Sequence, residues 1–526
     1  MRDFHLPGRS PVFASNGMCA TSHPLAAKVA VEMLESGGNA ADAAIAGAVL
    51  LGLCEPQMTG IGGDCFALIK PPGDERIFAL NGSGRAPAGL TGAALRKAEH
   101  KAVPLGTTDA VTIPGAVDAF CLLSQDYGLR GIDAALAPAI RYAEEGVPVA
   151  PRVAFDWSHS VDKLQGAARE FYSRNGDAPV AGQLFRHPIQ AEVLRRIAAE
   201  GRAGFYEGEV AEDMVASLRA LGGVHTMQDF ADAASTYHDP VSGAYKGTEL
   251  VEHPPNGQGA TAILLNNILS HFDLPSMDPF GAMRAHIEAE ATKLAYDTRN
   301  RFVADFDHTT RLAHLLDPAT AAHLAALIDP KQAMQSPAAL TEAFHKDTIY
   351  ITVVDKDRMA VSLIYSIFKD FGCGLASSKF GILFHNRGAG FTLEEGHPNE
   401  LNPGKRPMHT IIPAMLRQNG KVTMSFGVMG GQYQSTGHAR FVTNMVDYGM
   451  DPQANIDAPR CFDEIGEMRV EKGYSDAVRR ELADLGHKVV IPRNGIGGAQ
   501  AIRIDHDLGV LEGGSDPRKD GCALGY

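Results

Sequence analysis

Apolar positions along this chain recur in two different rhythms. From residue 24 the spacing is helical. Leu25, Val29, Val31, Met33 and Leu34 form a stripe, Thr21 and Ser22 can cap it, Pro24 suits its first turn, and Gly37-Gly38 stops it. Residues 40–53 are small or apolar all round, which predicts a helix packed on every side. "GIGGD" (60–64) is a tight glycine turn into the strand "CFALI", and a second strand, "RIFALNGSG", ends in "NGSGRAP" (81–87). Helical spacing dominates residues 115–345, with segments at 116–123, 132–145, 189–199, 260–269 and 282–296, interrupted by a strand-like stretch at 242–253. Residues 329–347 are polar and weakly periodic, the pattern of an exposed loop. After Thr348 the rhythm changes to strands and turns: 348–354, 359–367, 381–385, 410–416 and 421–427, then a helix at 434–447 and two strands in the tail. There is no internal repeat and no low-complexity linker. The mixture reads as interlocked α and β structure, not as separate modules.

Composition narrows this. A length of 526 residues gives a prior of three or four domains, one that large mixed folds often break. With 45% hydrophobic and 21% charged residues, the chain is of ordinary globular type. A net charge of −14 argues against nucleic acid and against an anionic membrane surface as partners. An anionic substrate would need its own cluster of Arg or Lys. The seven cysteines (19, 54, 65, 121, 373, 461 and 522) are scattered, odd in number and mostly in apolar contexts, which suggests buried thiols in a reducing compartment. The first residues lack the apolar core of a secretory signal, and no apolar run approaches the ~18 residues of a membrane span. The expected location is the cytoplasm.

Familiar catalytic motifs are missing. There is no G-x-S-x-G, Walker A, HExxH or zinc pattern. Ser366-Ile367-Phe368-Lys369 fits S-x-x-K, but its partner motifs are absent and it ends a strand instead of opening a helix. His23, His253 and His409 can serve as bases or as caps and structural groups. The stretch "HKDTIYITVVDKDRMAVSLIYSIF" (345–368) reads as a β-hairpin around Asp355–Arg358, with Thr348 opening its first strand. Threonine favours strands, so propensity alone accounts for it; the sharper reading makes Thr348 a chain terminus. Closing Val354 against Met359 places Thr348 opposite Tyr365 and within one residue of facing Ser366.

Several blocks then resemble, in order, the γ-glutamyltransferase family of N-terminal nucleophile hydrolases. They are "SNGMCATSHPLAAKVAVEMLESGGNAADAAIAGAVLLGLCEPQMTGIGG", "EHPPNGQGATAILLNNIL", "DTIYITVVDKDRMAVSLIYSIF", "GKRPMHTIIPAML", "GVMGGQ" and "SDPRKDGCALGY". The resemblance implies an α+β fold, a four-layer αββα sandwich. It implies a proenzyme cut once between Asp347 and Thr348, giving a large fragment 1–347 and a small fragment 348–526 that stay together as one folded heterodimer, with a dimer of these as a further option. It calls for no metal and no cofactor. Threonine Oγ is a weak nucleophile that needs an adjacent base. The α-amine released at Thr348, with an ordinary pKa of about 7.7–8.0, supplies one, which explains the missing triad. Ser366 then stands where the family has a hydroxyl bonded to the nucleophile, and Gly430 and Gly431 where backbone amides receive the oxyanion.

The substrate half of the family pattern is changed. Ser83 stands at the Arg position, with Arg85 two places on; Phe368 at the Asn position; Arg387 and Gly390 at the acidic and amide positions; His409-Thr410 at the Ser pair. The lid between Phe391 and Arg406 is short, and Ile349 and Tyr350 replace the residues usual after the nucleophile. Arg387 and Arg85 suit a carboxylate better than an aminium group. The expected substrate is therefore a small carboxylate-bearing amide, as in the oxamate amidohydrolase branch. Cephalosporin acylases, a γ-glutamyl hydrolase or transpeptidase acting on glutathione, and a catalytically silent binding protein are the alternatives.

Overall fold

The computed structural model describes residues 5, 8–335, 348–464 and 466–526. Asp347 and the part of the expected loop from 336 lie outside the described residues. Two seven-stranded antiparallel sheets form the centre. In the first the order is Cys522–Gly525, Met18–Thr21, Ile349–Val354, Ala360–Ser366, Asp64–Lys70, Phe78–Gly82 and Thr236–His238. In the second it is Val12–Ala14, Val510–Ser515, Gly498–Asp505, Lys421–Met429, Ala414–Gln418, Thr248–Glu252 and Val241–Tyr245. Strands from before and after residue 348 are interleaved in both sheets.

The sheets pack face to face, with Phe66, Tyr350, Ile364, Ile411 and Met429 between them. Gly427 makes the close approach possible: a Cβ there would lie 2.3 Å from the Tyr350 ring. Helices Pro24–Glu35, Ala40–Cys54 and Ala116–Tyr127 cover the first sheet, and Gly131–Glu145 packs on them. Gly259–Leu269, Gln434–Tyr448 and Pro452–Asp457 cover the second, with Ala282–Phe302 packed outside. This is the expected four-layer αββα sandwich, and it replaces the prior of several domains.

The helix predicted at 40–53 is Ala40–Cys54 and is buried along its whole length. Asn39 and Asp42 form its capping box, and the Asp355 carboxylate accepts from Ala40 N at 3.0 Å, tying the helix to the hairpin turn. All six residues of Ile349–Val354 are buried. Each large apolar side chain there contributes about 1.5–3 kcal/mol of transfer free energy. The strand that starts beside Thr348 is thus among the most firmly held parts of the molecule.

Four expectations need correction. His23, not Thr21 or Ser22, caps the first helix, its Nδ1 accepting from Leu25 N at 3.2 Å; Thr21 is spent in a strand and donates to Tyr350 O. Residues 381–385 form no strand. Gly381 is left-handed and only Ala376 and Leu383 make an isolated bridge. The strand expected from 410 begins at Ala414, because His409, Ile411 and Ile412 donate their amides to Asn256 O, His409 Nδ1 and Gln434 Oε1 instead of to a neighbouring strand. The tail holds three strands, not two.

Candidate active site

The hairpin closes one residue differently from the expected register. Arg358 takes a left-handed φ of 61°, Asp355 N donates to Met359 O, and the first ladder pair is Val354 with Ala360. Ile349 therefore pairs with Tyr365, and Thr348 faces Ser366 directly. Thr348 Oγ1 donates to Ser366 Oγ at 3.4 Å, and both residues are buried. Ser366 Oγ also accepts the amide of Phe368 at 2.8 Å. That bond holds Phe368 at a left-handed φ of 77°, a strain of about 1–3 kcal/mol for a non-glycine residue.

The Phe368 ring lies against the Arg387 guanidinium, 4.0 Å from ring centre to Cζ. Arg387 is buried, and its Nη1 donates to Thr410 Oγ1 at 3.2 Å. Its Nε and Nη2 have no hydrogen-bond partner among the described residues. Burial draws the guanidinium down to about 9, with Asp64 only partly opposing. Thr410 O accepts from Gln258 Nε2 at 2.7 Å, and the same nitrogen reaches Gly431 O at 3.4 Å. Gly430 and Gly431 follow strand Lys421–Met429 with φ of 126° and 57°, a backbone that side chains disfavour. A Cβ on Gly430 would also strike Gly497 Cα at 2.8 Å. Thr348, Ser366, Phe368, Arg387, Thr410, Gln258 and Gly431 are thus linked contact by contact.

A cavity of about 710 Å³ opens beside this chain, bordered by Phe368, Thr410, Gln432, Gly390, Met408 and Arg299. Arg387 reaches its wall through Phe368 and Thr410.

Two expected substrate contacts are bonded to protein groups in this structure. Arg85 is half-exposed; its Nη1 donates to Gly404 O at 2.8 Å and approaches the buried Asp305 carboxylate at 3.4 Å. His409 is fully buried with Nε2 3.2 Å from Asp64 Oδ2, and burial pushes its pKa down to about 3. Asp64 pairs with Ser366 across the sheet. Its Oδ1 takes the amides of Gly84 and Gly115. Burial works to raise this carboxyl, but His385, His409 and Arg387 outweigh it and hold it below the usual range. His253 bridges Leu80 O and Pro254 O and stacks on Phe66 at 4.0 Å. Of the three candidate histidine bases, His23 caps a helix, His253 lies between two backbone carbonyls and His409 is bonded to Asp64. Sequence reasoning missed Asp64, Gln258 and Arg299. The "GQG" turn and the helix end "DTRNR" were visible, but nothing in them marks which side chain turns inward.

A model of the family described as gamma-glutamyltranspeptidase matches residues 26–526. The chain belongs to the gamma-glutamyltranspeptidase family. It is 35% identical to a Bacillus subtilis (strain 168) protein named glutathione hydrolase-like YwrD proenzyme, over 98% of this chain and 99% of that one. It is 33% identical to the oxamate amidohydrolase proenzyme of Klebsiella pneumoniae, again over 98% and 99%. The structure superposes on the crystal structure of a cephalosporin acylase from Bacillus halodurans with a TM-score of 0.93 at 36% identity, covering 100% of this chain and 99% of that one. The chain is thus a hydrolase of amide C–N bonds with this family's α+β sandwich. No helix among the described residues is long and apolar enough to cross a membrane.

One buried group among the described residues has the composition of a metal site: His286, Glu290 and His487. Most of its ligand atoms are bonded within the protein. His286 Nδ1 and His487 Nε2 are 2.7 Å apart, His286 Nε2 donates to Asp329 O, and Glu290 accepts from Lys293 Nζ and Met334 N. The Lys293 ammonium pairs with the Glu290 carboxylate at 2.7 Å.

The buried histidines predict acid lability. Burial pushes His23 and His187 down to about 4, and His253 and His409 down to about 3. An unfolded histidine titrates at about 6.5, so each contributes stability in full above that pH and loses it as pH falls through the folded value. Glu55 works in the opposite sense. Burial raises it to about 7, so its contribution is lost as pH rises through that value. Four groups outweigh one, and the melting temperature should fall steadily between about pH 6.5 and 4. Calorimetry across that range checks this; a flat profile would contradict it.

Proposed function

We propose that the chain is a self-processing precursor of an amidase whose substrate is a small amide bearing a carboxylate next to the scissile carbonyl, with oxamate as the model compound. Thr348 Oγ1 attacks the Asp347 carbonyl carbon, the acyl group passes from nitrogen to oxygen, and water hydrolyses the ester. Fragments 1–347 and 348–526 result, with a free α-amine on Thr348. That amine then takes the Oγ1 proton as the hydroxyl attacks a substrate. Ser366 orients the hydroxyl. The amides of Gly430 and Gly431 receive the oxyanion. Its collapse breaks the C–N bond, the protonated α-amine gives its proton to the leaving amine, and an acyl-threonine ester remains. Water, with the α-amine again as base, releases the acid.

Arg387 carries the substrate reading. It is a buried guanidinium with two N–H-bearing nitrogens unpartnered, held by Thr410 and Phe368 next to the Thr348–Ser366 pair. A carboxylate is the group that fills such a fork. A γ-glutamyl substrate would also need an acceptor for its ammonium, and the oxygens of the buried Asp64 are taken by Gly84, Gly115 and His409. The name of the Klebsiella relative agrees with this reading. The test is turnover by purified, processed protein. Oxamate should release ammonia and oxalate while γ-glutamyl-p-nitroanilide stays intact; the reverse pattern would overturn the assignment in favour of a γ-glutamyl hydrolase or transpeptidase.

A further inference from the structure

Arg299, near the end of helix Ala282–Phe302, is fully buried. Its Nη1 donates to Gln258 Oε1 at 2.7 Å and to Gln432 Oε1 at 2.5 Å. Its Nε and Nη2 both donate to Asn300 Oδ1. The guanidinium lies over the Tyr296 ring at 4.2 Å. Every one of these acceptors is a neutral amide oxygen. Three other buried guanidinium groups meet a carboxylate: Arg284 and Arg440 meet Glu288, and Arg460 meets Asp516. Arg299 does not, and burial pulls it down to about 10. An uncompensated buried charge is costly, so its retention asks for a reason.

The surroundings give one. Because Gln258 turns its oxygen to Arg299, its nitrogen must face Thr410 O and Gly431 O. Tyr296, one helical turn earlier, donates its hydroxyl to Gln432 O. Tyr433 N holds Gly430 O at 3.1 Å, which fixes the peptide plane that carries the Gly431 amide. A single brace from this helix therefore sets the orientation of the Gly430–Gln432 loop and of Thr410, the residue that holds Arg387. Arg299 also borders the cavity.

We propose that Arg299 is a positioning residue for the oxyanion loop, and that its positive charge is balanced only when the oxyanion forms. The inference rests on the reading that Gly430 and Gly431 receive that oxyanion. Ground-state substrate gains little from the brace, whereas the transition state gains the full alignment and the charge.

The test compares Arg299→Met, Arg299→Lys and Gln258→Glu with wild type on oxamate, or on γ-glutamyl-p-nitroanilide if that is the compound wild type cleaves. Arg299→Met should lower kcat roughly 10²–10³-fold, the scale of a lost oxyanion donor, with KM within about threefold. Arg299→Lys, which keeps the charge, should recover part of the loss. Gln258→Glu, nearly isosteric, places a carboxylate on Arg299 and should lower kcat although every side chain remains. If Met folds poorly, the Lys and Glu variants carry the comparison. A change in KM alone, or a Gln258→Glu variant with wild-type kcat, would overturn the proposal. N-terminal sequencing of wild type and trapping of an acyl adduct on Thr348 are run alongside. If wild type yields neither, the underlying mechanism fails and not the brace; if both are present, the kinetics of the variants judge Arg299 alone.

Discussion

Thr348→Ala is expected to stay a single 526-residue chain and to hydrolyse nothing. Wild type, in contrast, should give two bands and a new N-terminus at Thr348. One hydroxyl is asked to do two jobs, attack on the Asp347 carbonyl and later attack on substrate, so one substitution should remove both. Loss of the nucleophile of an acyl-transfer enzyme costs at least about 10⁴-fold in turnover. Folding should survive. The bond from Thr348 to Ser366 is long at 3.4 Å, and a neutral hydrogen bond is worth about 1 kcal/mol net. An unchanged melting temperature beside abolished processing therefore separates chemistry from collapse. Thr348→Ser should still cut, since it keeps the attacking oxygen. Cleavage of the alanine variant at the same bond, or residual hydrolysis near the wild-type rate, would remove Thr348 from the mechanism.

Arg387→Met should lose most activity and little or no stability. Two charge-assisted hydrogen bonds to a substrate carboxylate, at about 1.5–3 kcal/mol each, correspond to roughly 10²–10⁴ in kcat/KM. The folded protein, however, carries this guanidinium with two nitrogens unsatisfied. Replacing a poorly paired buried charge by an apolar side chain of similar length is neutral or stabilising, by up to about 4 kcal/mol. Asp64 keeps its bonds to Gly84, Gly115 and His409. Arg387→Lys should fall between the two, since an ammonium supplies charge without the fork. Steady-state kinetics and thermal melts on the same preparations check both halves. Full activity in the Met variant would end the carboxylate reading; a large drop in melting temperature would make Arg387 structural.

Long-range packing with a strong local signal was readable in the chain. Residues 40–54 announced a fully buried helix because nearly every side chain is small or apolar, and the hairpin announced itself by alternation on both sides of a polar turn. What escaped was set by single backbone conformations and by partners remote in sequence. The register moved by one because Arg358 adopts a left-handed φ that no local pattern requires. Residues 381–385 carry the short apolar run Ile382-Leu383-Phe384 of a buried strand, yet Gly381 bends them out of any ladder. Arg85 and Arg387 looked equivalent as cations near the site. Only the fold supplies Asp305 to the first and leaves Nε and Nη2 of the second without a partner among the described residues. Gln258 and Arg299 are 41 positions apart and meet only because helices Gly259–Leu269 and Ala282–Phe302 pack together.

The interleaved sheets have a consequence for the life history of the molecule. Strand Met18–Thr21 is gripped on one side by Cys522–Gly525 and on the other by Ile349–Val354, so a piece of the chain before residue 348 is threaded between two pieces that follow it. Were the backbone opened at 347 as proposed, the halves could part only by tearing these two ladders and three more like them, which amounts to unfolding the whole sandwich. The same opening would turn any later reassembly from a first-order search within one chain into a second-order meeting of two halves, each exposing unpaired strand edges. Maturation would thus act as a ratchet: the uncut chain carries the ability to find the fold, and the cut form holds it as a kinetic inheritance that, once melted, is not regained.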